Sequence, residues 1–172
     1  MKQLFNEDAI KRTLVRISHE ILEKNKGCDD LVLVGILTRG RYLASRIQEN
    51  IARFEGVELP CGYIDITNYR DDKKVENYDD KTKIDFDIKG KKVVLIDDVL
   101  FRGRTVRAAM EGILKIGRPK EIQLVALIDR GHRELPIRAD YVGKNIPSGL
   151  QEKIEVHLKE IDAEDAVVIK EG

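Results

Sequence analysis

The stretch Val93-Val94-Leu95-Ile96-Asp97-Asp98-Val99-Leu100-Phe101-Arg102-Gly103-Arg104-Thr105 decides the fold of this chain. Its first four residues are apolar, which is typical of a strand that is buried on both faces of a sheet. Two adjacent carboxylates, Asp97 and Asp98, follow directly. Gly103 permits a close approach of a ligand to the backbone, and a helix is predicted to begin near Thr105. The stretch therefore predicts a strand, a short loop and a helix in succession.

This succession predicts a phosphate site with carboxylates beside it. The free N–H groups and the positive dipole end of a helix N-terminus attract anions, and the Thr105 hydroxyl adds a donor. Asp97 and Asp98 lie one loop away, where they can accept hydrogen bonds from a diol or hold a divalent cation. A ribose 5-phosphate fits both ends of such a site.

Two other interpretations of the same residues stay open. Asp97 and Asp98 could simply begin a turn while Thr105 caps a helix, or one aspartate at the strand end could accept a phosphoryl group. Neither interpretation explains the Gly-Arg-Thr that follows. The patterns GxxxxGK[ST] and GxGxxG are absent, so the phosphate site is of neither of those types.

Strand and helix patterns alternate along the rest of the chain. Leu31–Ile36 and Ile122–Ile128 are further buried strands, and each is followed by a polar turn, Thr38-Arg39-Gly40 and Asp129–Arg133. This alternation is typical of an α/β fold with a mostly parallel sheet flanked by helices. Because such sheets bind ligands at the carboxyl ends of their strands, the polar turns are expected to share one site.

The remaining segments complete one predicted domain, residues 1–172. Asn6 is a predicted N-cap of a helix with Ile10, Leu14, Ile17 and Ile21 on one face, and Gly27 ends it. The other predicted elements are a helix at Tyr42–Arg53 and strands at Gly62–Thr67, Tyr141–Val142 and Lys153–Leu158. The polar segment Tyr69–Gly90 is predicted to be a loop or a mobile hairpin.

Composition narrows the class of protein. The chain has 172 residues, of which 42% are hydrophobic and 36% are charged, and its formal net charge is zero. These values exclude a disordered chain and a polybasic nucleic-acid binder, although residues 100–144 hold ten Lys and Arg against five Asp and Glu. No apolar run is long enough to cross a bilayer, and the N-terminus MKQLFNEDAI lacks the apolar region of a signal peptide. With two isolated cysteines, the chain is expected to be cytoplasmic.

The strand-to-helix stretch resembles the 5-phosphoribosyl 1-diphosphate (PRPP) binding motif of type I phosphoribosyltransferases. Three further segments resemble one family within that class more specifically: Asp129–Asn145, Asp65–Asp72, and Arg16-Ile17 with His19-Glu20. Together they are similar to the PyrR family, which comprises pyrimidine operon attenuation regulators that also carry uracil phosphoribosyltransferase activity. The resemblance extends over nearly the whole chain, and is weakest around 73–90 and after 160.

The resemblance implies a type I phosphoribosyltransferase fold with a small flap, roughly residues 69–91, and conversion of uracil and PRPP to UMP and pyrophosphate with Mg²⁺. By resemblance, the catalytic residues are Asp97, Asp98 and Arg39, with Mg²⁺ held through PRPP near the two aspartates. The residues implied in PRPP and UMP binding are Thr38, Arg39, Gly40, Asp97, Asp98, Val99, Leu100, Phe101, Arg102, Gly103, Arg104, Thr105, Arg130 and Ile154.

The resemblance also implies partners beyond these substrates. The family binds a hairpin in the leader mRNA of its own operon, and UMP promotes that binding, with UTP a further effector. The implied RNA contacts are Arg16, His19, Arg133, Arg138 and Lys144. Family members are homo-oligomers, so a dimer or tetramer is expected. No membrane partner is expected.

Some positions depart from the family pattern and keep alternatives open. Arg102 stands where the family usually has a small residue, commonly Thr, and could strengthen phosphate binding or block the site. The flap is shortened. These departures leave open a nucleotide-sensing RNA regulator with weak or no transferase activity. Val15 and Leu150, where the family often carries RNA-contacting side chains, leave open a transferase without an RNA function.

Overall fold

The computed structural model describes residues 1–172 and contains two β-sheets and four helices. In chain order the elements are β1 (Lys2–Phe5), α1 (Glu7–Asn25), β2 (Leu31–Ile36), α2 (Arg39–Glu55), β3 (Cys61–Ile64), β4 (Lys92–Leu100), α3 (Arg104–Ile116), β5 (Glu121–Asp129), β6 (Tyr141–Asn145), β7 (Glu152–His157), α4 (Lys159–Asp162) and β8 (Ala166–Glu171). A single 3-10 turn, Thr67–Tyr69, follows β3. None of the helices has the length and hydrophobicity that a bilayer crossing requires.

The larger sheet has five strands in the order β3-β2-β4-β5-β6, and every neighbouring pair is parallel. All six residues of β2 are buried, as predicted for a strand covered on both faces. Because successive side chains point to opposite faces, Leu31 and Leu33 enter one hydrophobic cluster while Val32 and Val34 enter the other. The predicted parallel sheet is confirmed.

The helices lie on both faces of this sheet. The buried faces of α1 and α2 join the cluster of Leu31 and Leu33, and α3 joins the cluster of Val32 and Val34. The cap predicted at Asn6 is present, since its side chain accepts a hydrogen bond of 2.9 Å from the Ala9 N–H. α2 follows β2 and α3 follows β4, so the packing of these two helices on the sheet positions the loops that join each strand to its helix.

The smaller sheet is antiparallel, with the order β1-β8-β7. Val156 and Val167 of this sheet belong to the same hydrophobic cluster as Leu33 and Val94 of the larger one. The sequence analysis predicted β7 but neither β1 nor β8. β1 has only four residues, and the two missed strands pair with each other from opposite ends of the chain, which no local pattern indicates.

Several predicted boundaries are corrected by the structure. α2 begins at Arg39 rather than Tyr42, so the turn Thr38-Arg39-Gly40 is the first turn of that helix. β4 continues through Asp97 and Asp98 to Leu100, because its backbone stays paired with β5 up to Asp129. β3 ends at Ile64 instead of Thr67, where the 3-10 turn takes over.

The flap contains little regular structure, as predicted for Tyr69–Gly90. Its one strand-like contact is an antiparallel bridge between Tyr63 and Lys83. Asp65, which is 5% exposed, ties the flap to the end of β3. Its carboxylate accepts hydrogen bonds from the Tyr78 hydroxyl at 2.6 Å and from the Lys81 N–H at 3.2 Å. The middle of the flap is thereby held beside the carboxyl end of β3.

Candidate active site

A cleft of about 240 Å³ opens at the carboxyl end of β4. It is lined by Asp72, Asp97, Val99, Leu100, Phe101, Arg102, Gly103, Arg104, Thr105 and Val106. Eight of these residues belong to the set implied by the sequence, whereas Asp72 comes from the flap. The loop, the start of α3 and the flap therefore surround one space.

Asp97 and Asp98 occupy the end of β4 with different environments. Asp97 is 7% exposed, whereas Asp98 is half-buried. Burial raises the pKa of Asp97 well above its usual range, and the neighbouring charge of Asp98 raises it further. The Asp98 N–H donates to the Asp97 carboxylate at 2.9 Å. The pair thus presents a buried carboxyl group that binds a proton readily beside a more accessible carboxylate.

The loop after β4 has the backbone geometry expected of the predicted phosphate cradle, and it is called the cradle below. Gly103 adopts φ 92°, a left-handed conformation that glycine accommodates without strain, and directs the chain into α3. The N-termini of α2 and α3 lack side-chain caps, in contrast to α1. Their N–H groups are accordingly open to an anion.

Two arginines flank this cradle, and both are already ion-paired. Arg104 lies 2.9 Å from both Asp71 and Glu134, and the hydrogen bond to Glu134 together with the charge of Asp71 raises its pKa. Arg102 Nε lies 3.6 Å from Glu134, and its guanidinium is 4.7 Å from the Phe101 ring centre. The Arg102 side chain is 53% exposed, so it lies at the rim of the cleft.

Arg130 joins the end of β5 to this loop. It is 6% exposed, and its guanidinium lies 4.0 Å from the centre of the Phe101 ring. Its Nε donates to the Ser148 hydroxyl at 2.9 Å and its Nη2 donates to the Gly149 carbonyl at 2.8 Å. Ser148 and Gly149 were missed as site residues because single polar residues in a loop carry no spacing signal.

The loop after β2 lies beside the aspartates. Thr38, which follows a cis peptide bond from Leu37, is exposed immediately before α2. Gly40 packs so closely on β4 that an added Cβ would lie 2.2 Å from the Ile96 carbonyl oxygen. Gly40 therefore acts through close packing that brings this loop to the end of β4.

Arg39 lies at the start of α2, but its side chain is already paired. Its Nη2 lies 2.8 Å from Asp162 of α4. Burial favours a higher pKa for Asp162, but the hydrogen bonds from Arg39 and from the Leu158 N–H lower that pKa overall. Asp162 was not predicted from sequence, because only the tertiary fold brings the acidic tail to this loop.

Ile154 is placed differently from the other implied binding residues. It lies on β7 of the smaller sheet, is 9% exposed, and packs in the hydrophobic cluster shared by the two sheets. Its side chain is not part of the lining of the cleft. Among the side chains near the predicted base pocket, the structure offers Phe101 and Arg130.

The implied RNA contacts fall into two groups. Arg16 donates to the carbonyls of Val142 and Gly143, which places it next to Lys144 on β6. His19 lies further along α1, and its ring stacks on Phe54 with centroids 4.1 Å apart. Arg133 and Arg138 lie instead in the loop of residues 131–138, which faces the phosphate cradle through Leu135 and Ile137.

Comparison with known proteins agrees with this arrangement. Residues 1–160 match the family model of the phosphoribosyl transferase domain, and the chain belongs to this family. Two hypoxanthine phosphoribosyltransferase structures share the fold. The enzyme of Trypanosoma cruzi has a TM-score of 0.75 at 20% identity, covering 99% of this chain and 97% of the other. The enzyme of Staphylococcus aureus has a TM-score of 0.73 at 22% identity, covering 96% and 90%.

Sequence comparison then defines the group within the family. A pyrimidine operon regulatory protein of Lactococcus lactis is 56% identical over 169 residues, covering 98% of this chain and 96% of the relative. A protein of Caldicellulosiruptor bescii named bifunctional protein PyrR is 58% identical over 173 residues, covering 99% and 95%. The chain is therefore a PyrR family member, and the resemblance inferred from its sequence is confirmed.

Proposed function

We propose that this chain regulates pyrimidine operon expression by binding leader mRNA and also converts uracil and PRPP to UMP and pyrophosphate. The observation that carries the transferase activity is the cleft itself, where the buried Asp97, followed by the half-buried Asp98, lies beside an uncapped helix N-terminus. Relatives at 56–58% identity, named as operon regulators or as bifunctional, support the two roles.

The geometry suits displacement at the anomeric carbon of PRPP. The bond to pyrophosphate breaks as the bond to the uracil nitrogen forms, and positive charge develops on the ribose ring in between. The carboxylates of Asp97 and Asp98 face the ribose hydroxyls and stabilise that charge. Gly103, Arg104 and Thr105 hold the 5-phosphate. The uncapped start of α2 faces the departing pyrophosphate, and the flap excludes water.

The donor set fits a magnesium ion bound together with the substrate. No cluster of three potential protein ligands exists in the chain, so the protein alone offers the two carboxylates of Asp97 and Asp98. Mg²⁺ characteristically binds through one or two carboxylates and completes its shell with water and substrate phosphates. The ion, when bound, neutralises charge on the pyrophosphate leaving group.

Uracil is assigned to the space beside Phe101 and Arg130. The aromatic ring supplies a flat apolar surface, and the buried guanidinium holds Ser148 and Gly149 nearby. The RNA role is assigned to Arg16, His19, Arg133, Arg138 and Lys144. These side chains provide cations for phosphates and one ring for an unpaired base. Because the chain has no net charge, RNA binding depends on these two local groups of side chains.

Arg102 does not argue against transferase activity. Its guanidinium is drawn to Glu134 and Phe101 at the rim, and more than half of its side chain is exposed. The side chain is therefore available to an incoming phosphate without occupying the cradle. The regulator-only alternative rested on a blocked loop and a shortened flap. The position of Arg102 removes the first of these grounds, so this alternative is the less favoured interpretation.

The test is UMP formation from uracil and PRPP with Mg²⁺. The wild type is expected to turn over, and Arg102→Thr is expected to remain within about tenfold of it. Asp98→Asn is expected to lose about 100-fold or more in kcat, as for other groups that stabilise transition-state charge. Asp85→Asn, an exposed flap aspartate, is the matched control. A wild type that forms no UMP while Arg102→Thr is active would contradict the proposal.

The RNA role is tested separately with the leader transcript of the operon that encodes the chain. Hairpin binding is measured by filter retention with and without UMP. We expect UMP to lower the Kd for the hairpin and to leave the Kd for an unrelated hairpin unchanged. If the Kd is the same with and without UMP and the same for both hairpins, only the transferase part of the proposal would stand.

A further inference from the structure

A chain of ion pairs crosses the mouth of the phosphate cradle. Arg104 Nη1 lies 2.9 Å from Asp71 Oδ2, and Arg104 Nε lies 2.9 Å from Glu134 Oε1. The second carboxylate oxygen of Glu134 lies 3.6 Å from Arg102 Nε. Glu134 thus bridges Arg102 and Arg104, which flank the cradle. Asp71, a flap residue, pairs with Arg104 from the other side.

Glu134 also belongs to the 131–138 loop, which carries Arg133 and Arg138. The Glu134 N–H donates to the Arg102 carbonyl at 2.9 Å. A Cβ added at Gly103 would lie 3.5 Å from the Ile137 side chain and 3.7 Å from that of Leu135, so both apolar side chains cover this side of the glycine. The 131–138 loop is therefore held against the cradle by one backbone hydrogen bond, by apolar contacts and by the Glu134 carboxylate.

A bound phosphate and the Glu134 carboxylate require the same donors. The Arg104 guanidinium already uses its Nε for Glu134 and its Nη1 for Asp71. A guanidinium presents five N–H groups in a fixed fork, and the two carboxylates use the Nε and Nη1 groups. A phosphate that binds Arg104 through the fork containing Nε therefore competes directly with Glu134. The four side chains are 43–53% exposed, and exposed ion pairs are weak enough to be exchanged.

We propose that Glu134 is a positioning residue that links occupancy of the phosphate cradle to the 131–138 loop. A bound 5-phosphate replaces Glu134 as the ion-pair partner of Arg104 and Arg102. Loss of these ion pairs loosens the 131–138 loop, which carries Arg133 and Arg138. By thermodynamic reciprocity, a partner that binds the loosened loop tightens phosphate binding. This inference rests on the proposed function for the identity of the partner, whereas the exchange itself requires only a 5-phosphate.

The first experiment measures the Kd of ribose 5-phosphate, UMP and uridine by calorimetry. Glu134→Gln removes the competing charge and is expected to bind both phosphate compounds roughly two- to fivefold more tightly, with uridine unchanged. Glu111→Gln is the matched control, because Glu111 is equally exposed and pairs with Arg107 of the same helix. A purely structural role for Glu134 predicts weaker binding of all three compounds, which would overturn the proposal.

The second experiment follows hydrogen exchange of the 131–138 amides with and without ribose 5-phosphate. The wild type is expected to exchange faster when the ligand is bound. In Glu134→Gln, the 131–138 amides are expected to exchange fast without ligand, and ribose 5-phosphate is expected to leave their exchange rate unchanged. Asp71→Asn removes the ion pair between Asp71 and Arg104 but keeps the Glu134 carboxylate. Exchange of the 131–138 amides in this variant should therefore still increase when ribose 5-phosphate binds. A loop that responds equally in Glu134→Gln and wild type would refute the link.

The outcomes separate this inference from the proposed function. If ribose 5-phosphate gives the expected results but neither UMP formation nor RNA binding is found, the inference stands and the proposed function fails. If turnover and RNA binding are found while Glu134→Gln behaves as wild type, the inference fails alone. A wild type that does not bind ribose 5-phosphate would overturn both.

Discussion

At the residue scale, the site depends on a carboxyl group held where solvent cannot stabilise its charge. Asp97 is buried at the end of β4 next to Asp98, and its pKa is raised by that burial and by the neighbouring charge. Such an arrangement costs folding free energy in the absence of substrate. The proposed function explains this cost, because in that proposal the two carboxylates meet the ribose and the metal at one place.

This cost gives a testable stability effect. A carboxyl group whose pKa is higher in the folded state binds its proton more tightly when folded. Stability therefore falls as the pH rises above 3.8, and the loss is complete above the raised pKa. Asp97→Asn removes the titration and is expected to raise the free energy of unfolding at pH 8 by about 0.5–2 kcal/mol while abolishing turnover.

Urea denaturation of both proteins between pH 4 and pH 8 measures this effect. The difference in free energy of unfolding should widen with increasing pH. Asp87→Asn, on an exposed part of the flap, serves as the control. A difference that is constant with pH, or a less stable Asp97→Asn, would show that Asp97 carries no unfavourable charge in the folded protein.

At the element scale, the flap depends on one buried aspartate and one tyrosine. The Tyr78 hydroxyl donates to Asp65 at 2.6 Å, across the base of the segment that reaches the cleft. Tyr78→Phe is expected to cost about 0.5–1.5 kcal/mol and to speed proteolytic cleavage within residues 70–81. Tyr42→Phe, on α2, is the matched control. Unchanged cleavage kinetics would show that this hydrogen bond does not hold the flap.

The same anchor predicts a response to acid. Burial favours a higher pKa for Asp65, but hydrogen bonds from Tyr78, Thr67 and the Lys81 N–H lower that pKa overall. Asp65 therefore stabilises the fold fully above its ordinary value of 3.8, and this stabilisation is lost as the pH falls through the lowered pKa. Cleavage by pepsin should begin in the flap at low pH, and Asp65→Asn should already show that cleavage at higher pH.

Helix α1 offers a prediction that is independent of the site. Asn6 caps its N-terminus, where the Ala9 N–H donates a hydrogen bond of 2.9 Å to the Asn6 side-chain oxygen. Asn6→Ala is expected to destabilise the protein by about 1 kcal/mol, and Asn6→Asp to restore most of that loss. Thermal melts of the three proteins measure the effect. Equal melting temperatures for Asn6→Ala and wild type would contradict the role of the cap.

At the scale of the whole molecule, a chain of zero net charge must bind RNA through a local surface. The slope of log Kd against log salt counts the phosphates that the surface neutralises. Arg133→Ala and Arg138→Ala are each expected to reduce that slope by about one, whereas Arg118→Ala, outside the proposed surface, should leave it unchanged. An unchanged slope in the two loop variants would exclude the 131–138 loop from the RNA contact.

The sequence by itself determined the parallel sheet and the centre of the site. Leu31–Ile36 and the four apolar residues before Asp97 are strands because their hydrophobicity is continuous, and this is a local property. The rule that ligands bind at the carboxyl ends of parallel strands then located the aspartates, the Gly-Arg-Thr loop and Arg130 on one edge. The motifs were specific enough to identify the PyrR family as well.

Only the tertiary structure decided which charges meet around that site. Arg39 with Asp162, and Arg104 with Glu134, are pairs between residues 123 and 30 positions apart. The pairing of β1 with β8 likewise joins the two ends of the chain. No periodicity or propensity encodes such pairs, because their geometry depends on how helices and sheets pack rather than on the local sequence. For the same reason, the sequence could indicate that Arg102 is unusual but not that Glu134 holds it at the rim.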